Sequence, residues 1–119
     1  MSSLRVRYRT IEFGDIDIHL RTLRDKQQYA DPNGTAKDLG INSALWPLFG
    51  VVWPSSLVMS HFLLDYNFQG KRILEVGCGM GLASHLLNHL SEDITATDYH
   101  PEVKDFLDQN VLLNKSKTI

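Results

Sequence analysis

At 119 residues, 43% of them apolar and 22% charged, the chain can bury one core and does not have the composition of a disordered segment. A net charge of −2 leaves no general basic footprint for a nucleic-acid backbone, and no apolar run approaches membrane-spanning length. The single cysteine, Cys78, excludes an internal disulfide and fits a reducing, cytoplasmic setting.

In chain order, Val6 to Phe13 and Ile16 to Leu20 are rich in β-branched and aromatic residues and flank Gly14-Asp15. A Gly-X pair suits a two-residue II′ turn, so a β-hairpin is expected. In that register Phe13 faces Ile16, Ile11 faces Ile18, and Glu12 opposes Asp17, a like-charge pair that costs a little. Asp25 to Leu39 is polar around a turn at Asp31-Pro32-Asn33-Gly34 and reads as a loop or a frayed helical piece. Leu45 to Pro54 holds Trp46 and Trp53, each before a proline and so biased toward extended backbone. Pro54 suits a first helical position. Met59, Phe62, Leu63 and Tyr66 follow at helical spacing, which predicts a helix from about Pro54 to Tyr66 with those residues on its core face.

Arg72 to Val76 is a short apolar β-type run that ends in Gly77-Cys78-Gly79-Met80-Gly81, and a helical pattern from Leu82 to Leu90 follows at once. Glycines at such a turn accept φ > 0 and leave no Cβ in the way of a ligand, and the next helix offers its free N–H groups there. A dinucleotide fingerprint would space the glycines as Gly-x-Gly-x-x-Gly; here the third comes one residue early. Glu75 lies two positions before the first glycine. Ile94 to Asp98 reads as the next strand, with Asp98 about twenty residues past Gly77, where an acid accepts from ribose hydroxyls. Pro101 suits the start of a last helix, with Val103, Phe106 and Leu107 as its buried stripe, running to about Asn114. His85 and His89 sit at i and i+4, but the Leu-rich stripe puts both toward the polar side of their helix, and no third ligand is evident, so no metal is expected. Cys78 has no base to activate it; its backbone N–H is the contribution expected toward a ligand.

The pattern Glu75-x-Gly77-x-Gly79-x-Gly81 with Asp98 after the following strand resembles the first motif of the seven-stranded, Rossmann-like S-adenosylmethionine-dependent methyltransferases. Val52-Trp53-Pro54-Ser55-Ser56-Leu57 ahead of Gly70 to Gly79 resembles the protein-lysine branch of that family, over about Trp46 to Asn114. The resemblance implies an α/β fold with an incomplete parallel sheet behind an N-terminal hairpin, divided as an extension over 1–44 and a cofactor-binding half over 45–119. It implies S-adenosylmethionine as cofactor, held by Trp53, Glu75, Gly77, Cys78, Gly79, Gly81, Asp98 and Tyr99, with Trp53 as an aromatic wall and Trp46 and Phe49 as packing. The acceptor is then a protein lysine; a small molecule and a non-catalytic binding module are the alternatives. In that fold strand 72–76 is central. Only the first two strands are recognisable, with Thr118-Ile119 as a possible opening of a third, so a shortened chain is expected. Its catalytic residues are unassigned, and its unpaired sheet edge is prone to self-association.

Overall fold

The computed structural model describes residues 5–24, 38–40, 48–117 and 119. The loop turn at 31–34, Trp46, and the strand opening at 118 lie outside the described residues. Strands β1 (Val6–Phe13) and β2 (Ile16–Leu23) form the expected hairpin, in the expected register: Phe13 opposite Ile16, Ile11 opposite Ile18, Glu12 opposite Asp17. Of the two turn residues only Gly14 has a positive φ, 61°, the requirement of a II′ turn. A short 3₁₀ turn, Leu48–Gly50, leads to α1 (Pro54–Leu64), β3 (Arg72–Glu75), α2 (Leu82–His89), β4 (Asp93–Ala96) and α3 (Val103–Leu113). The architecture is mixed α/β. β3 and β4 pair in parallel across α2, Ile73 opposite Ile94 and Glu75 opposite Ala96, as a two-stranded sheet.

The hairpin spans two apolar clusters. At its turn end Ile11, Phe13, Ile18 and Leu20 pack with Leu82 and Leu86 of α2, and Leu57 and Leu64 of α1 close over them. At its open end Leu23 joins Phe49, Cys78, Met80, Val103, Phe106 and Leu107. What fastens it is polar. The Asn114 side chain accepts from the His19 N–H (2.7 Å) and donates to the His19 C=O (2.7 Å). Asn110 does the same to Arg21, at 2.6 and 3.1 Å. Residues two apart on a strand lie about 6.7 Å apart, and residues four apart on a helix about 6 Å. Two amides at i and i+4 on α3 therefore stand in for the missing strand beside the β2 edge.

Three expectations are corrected here. α1 ends at Leu64, and Met59, Phe62 and Tyr66 are exposed, not buried; the helix turns Leu57, Ser60 and Leu64 inward. Apolar residues surround this helix, so spacing alone does not choose its buried side. His85 is 2% exposed. α2 is enclosed from Leu82 to Asn88, and only His89 reaches solvent. Pro101 sits in a turn two residues before α3, whose N-cap is Glu102. The unpaired edge expected of β3 is present among the described strands, since β4 is its one partner, and Leu74 and Val76 are exposed.

Two outcomes are expected. Asn110→Ala leaves the Arg21 N–H and C=O buried without partners, a loss of about 2–4 kcal/mol by urea unfolding, with faster amide exchange at Arg21. The second concerns His85, whose ring nitrogens have no hydrogen-bond partner among the described residues; burial pushes it down to about 4 from 6.5. As pH falls below 6.5 the unfolded chain takes up this proton first, so its contribution is complete above 6.5 and is lost progressively toward 4. The loss is on the order of 3 kcal/mol. His85→Leu should flatten that limb of the stability–pH curve relative to the parent protein.

Candidate functional site

A cavity of about 600 Å³ opens at the C-terminal end of the β3–β4 sheet, lined by the loop after β3, by Asp98 to His100 after β4, and by Phe49 to Ser56 before and into α1. Its volume lies in the range of small-molecule sites. Gly77, Gly79 and Gly81 all have positive φ, at 60°, 54° and 68°. A Cβ on Gly79 would press on the Phe49 C=O at 3.1 Å, and one on Gly81 would meet Leu107 at 2.9 Å. At Gly77 a Cβ would meet nothing within 4 Å. Two of these glycines are therefore required by close packing behind the loop as well as by backbone shape, and the first faces open space.

Two carboxylates hold this loop. Asp98 accepts from the Gly79 N–H through Oδ2 and from the His100 N–H through Oδ1, both at 2.8 Å. A carboxylate has about four acceptor positions, so capacity for a ligand's hydroxyls remains. Glu75 accepts the Ser84 hydroxyl at 2.5 Å and the Ser84 backbone N–H. Gly81, the N-cap of α2, has no side chain to cap the helix; Glu75 does so from the neighbouring strand, where a negative charge is favoured. Burial raises the Glu75 carboxyl above its usual range, the Ser84 bonds oppose this, and Asp98 adds to the rise.

The remaining expected residues all line the cavity, with differences in role. Trp53 is the extended residue capping α1 and is 39% exposed at the cavity wall. Tyr99 is exposed and donates its hydroxyl to the Leu39 C=O at 3.1 Å, tying the segment that carries Gly40 to the cavity mouth. Cys78 differs from expectation. Its N–H is donated to the Thr97 C=O at 2.9 Å, extending the β3–β4 pairing, and is not directed into the cavity. Its thiol is pushed up to about 12, first by burial and then by Glu75 and Asp98, so it is no nucleophile. Among the described residues no group of three His, Cys, Asp or Glu could hold a metal ion. No helix among the described residues is long and apolar enough to cross a membrane.

Sequence reasoning missed Phe49 and His100 as lining residues. Phe49 is buried in the core cluster, stacks on the His100 ring with centroids 4.1 Å apart, and supplies the carbonyl behind Gly79. The His100 Nδ1 accepts from the Glu102 N–H at 3.1 Å, so the neutral ring carries its proton on Nε2. The available signals were position alone: an aromatic next to Gly50, and a histidine two residues after Asp98.

A family model described as lysine methyltransferase matches residues 40–119. The chain belongs to the lysine methyltransferase family. It is 38% identical over 81 residues to the protein-lysine methyltransferase METTL21E of Bos taurus, covering 65% of this chain and 28% of that protein. It is 35% identical over 71 residues to the protein N-lysine methyltransferase METTL21A of Danio rerio, 56% of this chain and 32% of the relative. With the calmodulin-lysine N-methyltransferase of Arabidopsis thaliana it shares 32% identity over 66 residues, 52% and 22% of the two. The chain thus spans less than a third of the length of these relatives.

Removing the Asp98 carboxylate strips the acceptor from two loop N–H groups. Asp98→Ala should cost about 1–3 kcal/mol of stability in urea unfolding. Amide exchange at Gly79 and His100 should quicken more than at Ile94.

Proposed function

We propose that this chain supplies the cofactor-binding half of a methyltransferase that uses S-adenosylmethionine to methylate lysine side chains of proteins. The observation that carries the reading is the loop of three left-handed glycines between β3 and α2, facing a cavity of about 600 Å³ with Asp98 and Glu75 at its base. The open side of Gly77 fits the group: a ligand can approach the backbone where any side chain would stand in its way. In this reading residues 1–44 are an extension, and 45–119 are the first part of a Rossmann-like domain whose β3 edge continues into a larger sheet or pairs with a second copy.

The spare acceptor positions of Asp98 take the ribose hydroxyls, and Glu75 provides negative charge toward the amino end of the cofactor. Trp53, Tyr99, Phe49 and His100 form the aromatic walls, and the loop backbone around Gly77, Cys78, Gly79 and Gly81 gives the floor. The cofactor supplies a methyl group already activated on a sulfonium. The chain's part is to hold and orient it and to exclude water. A lysine must reach the site as a neutral amine, which an apolar and aromatic mouth favours by disfavouring the ammonium form. Names of the similar proteins, all acting on protein lysines, support a protein acceptor over a small molecule. The lone cysteine fits a cytoplasmic setting.

Calorimetry with S-adenosylmethionine, S-adenosylhomocysteine and NAD tests the reading. The first two should bind and NAD should bind more weakly; tighter binding of NAD removes the assignment. Asp98→Ala should weaken cofactor binding per folded molecule by about 1.5–3 kcal/mol. An unchanged affinity would leave Asp98 as a loop brace alone.

A further inference from the structure

A second cleft, of about 240 Å³, lies between the hairpin and α3. Its hairpin wall is Tyr8 and Arg21, which stand directly opposite each other in the β1–β2 register and so leave the sheet on one side. That side is the reverse of the one on which Ile11, Phe13, Ile18 and Leu20 are buried. The other wall is Gln109, Leu112 and Leu113, which at i, i+3 and i+4 share one side of α3. None of these five residues lines the cavity at the glycine loop.

The cleft holds a cation in a fixed place. Asn110 clamps the Arg21 backbone at 2.6 and 3.1 Å, and the Arg21 guanidinium lies 5.0 Å from the centre of the Phe106 ring, a cation–π distance. The side chain is half-buried, yet no acid answers it. Among the described residues the ion pair is Lys104–Asp108, and Asp105, one turn before Gln109, does not reach Arg21. The Tyr8 hydroxyl and the Gln109 carboxamide likewise have no hydrogen-bond partner among the described residues. Beside these polar groups stand the Tyr8 ring, Leu112 and Leu113, apolar surface left in water, Leu112 at 71% exposure. One placed guanidinium, two neutral donors and apolar walls fit a carboxylate joined closely to an apolar group.

We propose that this cleft captures the C-terminal residue of a partner protein, with its α-carboxylate on Arg21 and an apolar last side chain against Leu112, Leu113 and the Tyr8 ring. The inference goes beyond the methyl-transfer reading and uses none of that site's residues. A guanidinium fork meets a single carboxylate through two N–H groups, and Tyr8 and Gln109 add donors beside it. A chain terminus carries its carboxylate and its side chain on the same Cα, so both enter a cleft of this size together. An internal Asp or Glu in an extended segment does not match. Its apolar neighbour points to the opposite side, and the next residue on its own side is about 6.7 Å further on. A lone arginine also makes no track for a nucleic-acid backbone.

Fluorescence anisotropy on the full chain tests this, with the peptide Gly-Ser-Gly-Ser-Thr-Leu labelled at its amino end. One form ends in the free carboxylate, a second in the amide, and a third carries Ser in place of the last Leu. The free acid should bind at least about tenfold tighter than either control. Arg21→Gln should remove the preference for the acid, and Leu112→Ser, at an exposed position, should weaken the acid several-fold. Asn110 holds Arg21 by its backbone, so those bonds persist in Arg21→Gln, and urea midpoints check that both variants fold. In two-dimensional NMR the peptide should shift Tyr8, Arg21, Leu112 and Leu113. Equal binding of the amide overturns the proposal, as does unchanged affinity in either variant, or shifts confined to Gly77 to Gly81. Tighter binding of decanoate than of the peptide overturns it in favour of an acyl chain. No arm contains S-adenosylmethionine, so the result is independent of whether the cavity binds that cofactor.

Discussion

The structure depends on how one strand edge is satisfied. β2 would otherwise present the N–H and C=O groups of His19 and Arg21 unmet to the half-buried seam with α3, where each unmet group is costly. Asn110 and Asn114 meet all four. That fixes the hairpin against α3 to within a hydrogen bond's tolerance. Leu23 is then held over Gly50, where no Cβ fits, and the Phe49 carbonyl is held behind Gly79. The Arg21 guanidinium lies 5.0 Å from the centre of the Phe106 ring, whose edge in turn meets Phe49. A polar contact on one side of the molecule is thereby transmitted, by close packing alone, to the backbone of the glycine loop.

The loop is also braced from its other side, by acids that serve the protein first. Asp98 joins the loop to the start of the α3 turn, and Glu75 caps α2 through Ser84. Each carboxylate gains from N–H or O–H donors, but burial and their mutual repulsion raise Glu75. A site of this kind is formed before any ligand arrives. Little backbone has to be ordered on binding, which lowers the entropic cost of capture.

Much of this was legible in the sequence, for identifiable reasons. The hairpin register follows from Gly14-Asp15 and from alternation, which admit one pairing. The glycine loop follows because its spacing encodes backbone shape, and Asp98 because it lies one crossover later. Illegible were contacts between distant segments. Asn110 and Asn114 look like ordinary polar positions on a helix, and nothing local ties them to His19 and Arg21. Spacing misorients α1 because apolar residues lie on several of its sides, so its buried face is chosen by the Ile11–Leu20 surface it lands on. A histidine beside a leucine stripe reads as polar, which points His85 to solvent, yet α2 is enclosed from Leu82 to Asn88. The loop position of Cys78 points its N–H to a ligand, but strand pairing with Thr97 claims it first.

The state of the Cys78 thiol has a practical side. Burial pushes this thiol up to about 12, so it is protonated at pH 8, and it is buried as well. Its neighbours in the core are Phe49 and the buried face of α3, so alkylation requires that packing to loosen. The protein's one cysteine is therefore a clock for the opening of its own glycine loop. Its labelling rate counts those excursions, and anything that occupies the cavity slows the count.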